Sequence, residues 1–225
     1  MARTDVTALE LPSWAVPREP REVAVAGQSI EIRTGWWRHE IESRGLPGRP
    51  PEAMALTRAD VWSQADFARS VDVFTLLWHA LAWGAGRYLR QNVRRLVVIA
   101  EDVDRCGALL TEAAERSTKD PEAAFAVLRP GRTNVVKHLG PSFFTKFLYF
   151  AGGGDPAHPS LILDRRVATS LRDECGWDSL HRVGPWPPET YRRYCDLLER
   201  WAREHDCAPD ELERTLFSGK PPARG

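Results

Sequence analysis

Residues 132–172 read RTNVVKHLGPSFFTKFLYFAGGGDPAHPSLILDRRVATSLR, and the order of apolar runs, glycines and acids in this stretch decides the fold. Residues 133–138 can form a short helix, Leu139, Gly140, Pro141 and Ser142 a tight turn, and residues 142–151 a strongly apolar second helix. Gly140 lets the backbone approach a phosphate closely, and Pro141 stands where its missing N–H is not needed, so free amides of the second helix can face an anion. This is a helix-hairpin-helix reading over residues 132–151, and such a hairpin grips a nucleic-acid backbone without reading its sequence. GGGDPAHPS, residues 152–160, reads as a flexible connection, after which Leu161, Ile162 and Leu163 lead into Asp164 at the start of another helix. A carboxylate in that place is explained by N-capping alone. A capping carboxylate is also rigid and ionised, which suits stabilisation of a developing cation.

Upstream of this stretch, Phe74, Leu77, Trp78 and Leu81 continue a helical spacing begun at Val71, in a segment apolar on nearly every side that ends near Gly84 or Gly86. This predicts a central helix. A second, basic-faced helix follows over residues 87–100, then helices over 104–117 and 121–128, the last with Pro121 at its first position. Residues 58–68 read as a short helix. Toward the C-terminus, Tyr191, Tyr194, Leu197, Leu198 and Trp201 mark a closing helix over 188–206, and Pro209 opens a short one over 208–217. Strand signals are absent after residue 33, so the body is expected to be all-α. The first fifty-five residues are rich in Pro and Gly and read as an irregular N-terminal extension, with residues 22–32 alternating like a strand or hairpin and Trp36 and Trp37 anchoring it. The chain therefore divides into an extension, 1–55, and a helical domain, 56–225.

Thirty-one basic and thirty-one acidic residues cancel, which at face value opposes a nucleic-acid partner. Their distribution does not. Arg87, Arg90, Arg94 and Arg95 fall in a stretch without acids, and six basic residues between 132 and 172 face only Asp155 and Asp164. A solvated helix face explains the first cluster equally well. Cys106, Cys175, Cys195 and Cys207 form no closely spaced pair, so no zinc ribbon or disulfide is expected. No run approaches the roughly 18 apolar residues of a membrane span, and the N-terminus lacks an apolar leader. A cytoplasmic monomer with no membrane partner is the expectation.

Helix, glycine-containing hairpin, helix, short loop, aliphatic run and Asp resemble the hallmark of the helix-hairpin-helix base-excision DNA glycosylases, and within them most of all the 8-oxoguanine DNA glycosylase group. The strings FFTKFLYF and LILDRRV carry the likeness. The resemblance implies a helix-hairpin-helix DNA glycosylase fold, double-stranded DNA containing a modified base as partner, a lysine that attacks C1′, and an Asp that assists expulsion of the base. Aligned from the hairpin glycine, the family's lysine falls on Ser142. Lys146 lies one turn farther along the same face, about 6 Å away, and its apolar neighbours favour the neutral amine. The catalytic candidates are thus Lys146 and Asp164, the latter in a loop over 152–166. His138, Gly140, Pro141, Ser142, Arg165 and Arg166 are candidates for DNA contact, and Ser142, Phe143, Phe144 and Trp78 for a base pocket. Base extrusion demands such aromatics, and Trp62, Trp83 and Trp186 are also available. No metal or organic cofactor is indicated; the resemblance implies a monovalent cation held by hairpin carbonyls. A binding-only hairpin protein, a helical scaffold, and a glycosylase for another modified base on foreign DNA remain open alternatives.

Overall fold

Asp72 opens the helix against which the rest of the chain packs. Its carboxylate accepts the Thr75 N–H at 3.3 Å, and the helix runs until Gly86, at φ 57°, turns the chain away. The computed structural model describes residues 4–66, 72–89 and 91–221. In chain order its helices are α1 (Thr34–Glu42), α2 (Arg58–Trp62), α3 (Val73–Ala85), α4 (Asn92–Glu101), α5 (Val103–Ser117), α6 (Pro121–Leu128), α7 (Pro141–Phe150), α8 (Arg165–Asp173), α9 (Pro188–Glu204) and α10 (Pro209–Ser218). Two short strands, β1 (Ser29–Glu31) and β2 (Ala55–Thr57), pair antiparallel. The body is all-α, and no helix among the described residues is long and apolar enough to cross a membrane.

The apolar α3 buries Leu76, Leu77, Trp78, Ala80, Leu81 and Ala82 completely. It packs along α7, while α5 and α6 lie together and α9 closes over α6. On the other flank α8 rests on α10. Prolines at the first position of α6, α7, α9 and α10 fix where each begins.

Several expectations change. Residues 133–138 form no helix. The first helix of the hairpin is α6, and residues 129–140 are a long loop in which the Val135 N–H donates to the Leu128 carbonyl at 2.9 Å and His138 takes φ 68°. Thr133, Val135 and Val136 are β-branched and gain little from helix. Residues 22–32 hold a π-helical turn at Glu22–Ala26, and only Ser29–Glu31 is strand. Its partner β2 was not foreseen, nor was α1 inside a segment read as irregular. The expected boundary at 55/56 falls within β2. The helix foreseen over 58–68 spans Arg58–Trp62, and Phe67, Ala68, Val71 and Arg90 lie outside the described residues. The GGG connection is packed, not flexible: a Cβ on Gly152 would meet the His158 ring at 2.3 Å, and one on Gly154 the Trp62 ring at 2.9 Å.

Buried charges tie the two ends of the chain to this core. Arg58 and Glu213 pair at 2.8 Å with side chains 1% exposed, and Arg58 Nε donates to Gln28 Oε1 at 2.8 Å. Tyr149 donates to Asp210 at 2.9 Å, where Arg21 also pairs. Burial raises the Glu213 carboxyl above the ordinary range, with Arg58 opposing. Removing one member of such a pair strands the other charge. Arg58→Met is therefore expected to cost about 3–5 kcal/mol in urea unfolding. Without Arg58 the Glu213 pKa rises further, so between its unfolded and folded values the native state binds the extra proton. The variant should regain stability as pH falls from neutral, measured by the urea midpoint; a parallel pH response in both proteins would contradict this.

Candidate active site

The aliphatic run at 161–163 crosses the core as extended backbone, and its polar groups need partners there. Tyr191 donates to the Leu161 carbonyl and Tyr194 to the Ile162 carbonyl, both at 2.7 Å. The Thr145 hydroxyl accepts the Leu163 N–H at 3.2 Å, donates to the Pro141 carbonyl at 2.8 Å, and lies 3.2 Å from the Leu163 carbonyl. Thus α9 holds the run from one side and α7 from the other. The next residue, Asp164, and the neighbour of Thr145 on α7, Lys146, are brought face to face.

Lys146 Nζ lies 3.4 Å from Asp164 Oδ2 and donates to the Ser142 carbonyl at 2.8 Å. The Lys146 side chain is 7% exposed and that of Asp164 is 14% exposed. The other oxygen, Oδ1, accepts the Arg166 and Val167 amides at 2.9 and 3.2 Å. One carboxylate therefore caps α8 and faces an amine with separate oxygens. The lysine stem lies against α3 at Gly84, where a Cβ would come within 2.7 Å of Lys146 Cδ. Of the four lysines in the sequence, Lys119, Lys137 and Lys220 are exposed and Lys146 alone is buried.

The remaining candidates separate into three places. His138, Gly140, Pro141 and Ser142 form the half-buried corner before and into α7, where Gly140 stands at the N-cap without a side-chain cap. Arg165 and Arg166 are exposed on the first turn of α8, with the Arg166 guanidinium 4.4 Å over the Phe217 ring. Trp78 and Phe144 have no exposed surface: Trp78 stacks on Phe74 and donates to the Pro47 carbonyl, while Phe144 meets Phe125 edge-on. Helical spacing marked each on an apolar helix, and in this structure both side chains are core. Phe143 is half-buried beneath the Arg95 guanidinium at 3.7 Å. His79 is buried with Nδ1 2.7 Å from the Thr75 carbonyl, and burial lowers its pKa. Ser142, where the lysine was aligned, supplies its carbonyl to Lys146 instead.

A recess of about 480 Å³ opens beside the first turn of α8, lined among others by Arg165, Arg166, Thr169, Arg182 and Phe217. A larger one of about 910 Å³ is lined by Lys119, Asp196, Arg203 and Cys207 among others, and neither recess is lined by Lys146 or Asp164. Sequence reading missed Thr145, Gly84 and the two tyrosines as site-forming residues. The helical spacing of Tyr191 and Tyr194 gave their buried face but not the carbonyls they serve.

In comparison with known families, the model described as "Putative 8-oxoguanine DNA glycosylase OGG-like protein" matches residues 23–217. No curated protein and no solved structure matches the chain.

The stitching by Thr145 is open to a direct check. Thr145→Val keeps the shape but leaves the buried Leu163 amide without an acceptor, which is expected to cost about 1–3 kcal/mol. Asp164→Asn, which preserves an N-cap, should cost less than Asp164→Ala, expected at about 1 kcal/mol. Urea unfolding of the three variants measures both; equal costs for Asn and Ala would show that the cap is not what holds Asp164.

Proposed function

Because the chain belongs to the OGG-like 8-oxoguanine DNA glycosylase family, we propose that it excises an oxidised or otherwise modified purine, such as 8-oxoguanine, from double-stranded DNA and cleaves the resulting abasic site. The observation that carries this reading is the pairing of the one buried lysine with the helix-capping Asp164 at 3.4 Å. The modified nucleotide must leave the stack before C1′ is accessible. The Lys146 amine then attacks C1′; the N–C1′ bond forms as the bond from C1′ to the base breaks, and the base departs with the electron pair and takes up a proton. Loss of the amine proton and opening of the sugar give a Schiff base, the species that borohydride reduces. The Asp164 carboxylate stabilises positive charge developing on the sugar.

Two further features support the assignment. The recess beside the first turn of α8 offers guanidiniums for phosphates flanking the modified nucleotide. The half-buried corner at Gly140 and Pro141 fits a backbone phosphate approached by the amide of Ser142. The burial of Lys146 fits a reactive amine, since a lysine with a purely solvating role is rarely taken out of water.

Borohydride trapping on a duplex carrying 8-oxoguanine tests the reading. A covalent adduct is expected, lost in Lys146→Gln and formed about 10²-fold more slowly in Asp164→Asn. Gly84→Ala places a methyl group against the lysine stem and should slow trapping about tenfold by displacing the amine, with the melting temperature little changed. An adduct that persists in Lys146→Gln would contradict the assignment of the nucleophile. Alkali-labile, Asp164-dependent sites without any adduct would make the enzyme monofunctional. No product from 8-oxoguanine, with product from another modified base in foreign DNA, would move the substrate and leave the site.

A further inference from the structure

Two arginines beside the hairpin are buried without an acid. Arg95, on α4, is 5% exposed, and among the described residues it has no ion pair. Its Nε donates to the His138 carbonyl at 3.0 Å, its Nη1 donates to Asn92 Oδ1, and its guanidinium covers the Phe143 ring at 3.7 Å. Burial alone pushes its pKa down to about 10, still far above neutrality, so the charge stays. Arg129 is also 5% exposed; it donates to Asn134 Oδ1 and to the Arg132 carbonyl. Asn134 in turn packs near Gly140, its Nδ2 3.7 Å from where a Cβ there would stand. An uncompensated buried charge is costly and is ordinarily matched by a counter-charge. Here the two guanidiniums bond to the loop that leads into the corner where α7 begins, so an anion bound at that corner would meet their charge.

The same bonds decide whether a monovalent cation fits the hairpin. Such an ion needs several carbonyl oxygens turned toward it. The His138 carbonyl is taken by Arg95, the Arg132 carbonyl by Arg129, and the Gly140 carbonyl by the amides of Phe143 and Phe144 at 2.9 and 3.1 Å. The Val136 carbonyl accepts the Leu139 amide at 3.2 Å. A cation on the His138 carbonyl would also sit beside the Arg95 guanidinium. At that carbonyl the residues present do not fit it.

We propose that Arg95 takes the place of a bound alkali cation at this hairpin: it holds the His138 carbonyl and supplies the fixed positive charge that a DNA phosphate meets at Gly140 and Ser142, so that the grip on DNA needs no such ion. This rests on the reading of the chain as a DNA-binding glycosylase, but not on its chemistry. Charge-assisted bonds from a planar guanidinium are directional, whereas an ion held by carbonyls is exchanged with the buffer.

The test is fluorescence anisotropy with a duplex containing a tetrahydrofuran abasic analogue, which cannot be cleaved, in potassium, sodium or tetramethylammonium chloride at one ionic strength. Tetramethylammonium is too large to nest among carbonyls. Wild-type affinity is expected to agree within about twofold in the three salts. Arg95→Met should bind about tenfold or more weakly, with the slope of log K against log salt reduced by about one. Arg95→Lys keeps the charge and should keep the slope, which separates loss of charge from loss of fold. Wild-type affinity that collapses in tetramethylammonium and is restored by potassium would overturn the proposal. So would a folded Arg95→Met protein with unchanged affinity and slope. Absence of binding in every salt would instead remove the DNA-binding reading beneath it.

Discussion

The site depends on burying a stretch of extended backbone inside a helical protein. Residues 161–163 have no strand neighbours, so their polar groups must be satisfied by side chains or pay for desolvation. Tyr191, Tyr194 and Thr145 supply the partners. Each hydroxyl is itself fixed by a helix, so the run is locked in register between α9 and α7. That lock decides where Asp164 stands, and the cap it forms on α8 decides which oxygen is left for Lys146.

Charge in this chain is balanced overall and unbalanced locally. At α10 a buried and a half-buried arginine have acids: Arg58 has Glu213, and Arg21 has Asp210. Beside the hairpin Arg95 and Arg129 donate to carbonyls and amide oxygens and, among the described residues, pair with no acid. The first arrangement closes the fold by tying residues 21 and 58 to α10. The second leaves positive charge beside the corner proposed to meet a phosphate. Glu213 lies close enough to feel both Asp164 and Lys146, so the structural pair and the candidate catalytic pair share one poorly solvated region.

Much of this was legible in the sequence where one element carries its own signal. Pro121, Pro188 and Pro209 announced helices that begin at or beside them, and the apolar spacing around Trp78 announced α3. The meeting of Lys146 and Asp164 was legible because the two stand on motifs of recognisable order. What was not legible depends on partners far along the chain. Periodicity put Trp78 and Phe144 on an apolar face without telling a core from a pocket. Arg95 was part of a charged run whose solvated reading was as good as any, and only the packing of α4 on the hairpin buries it. Residues 133–138 had helical length but β-branched composition, and the side chain of Arg129 stabilises the loop they form instead. The packed turn at Gly152 and Gly154 looked flexible because glycine can signal freedom or crowding, and here His158 and Trp62 show it is crowding.

The central claim, that the one buried lysine is the nucleophile, is tested most directly by locating the covalent bond. After borohydride reduction on modified duplex, nuclease and protease digestion followed by tandem mass spectrometry identifies which residue carries the deoxyribose remnant. The account predicts a single modified peptide with the added mass on Lys146. Mass on Lys119, Lys137, Lys220 or the N-terminal amine, with Lys146 unmodified, would contradict it.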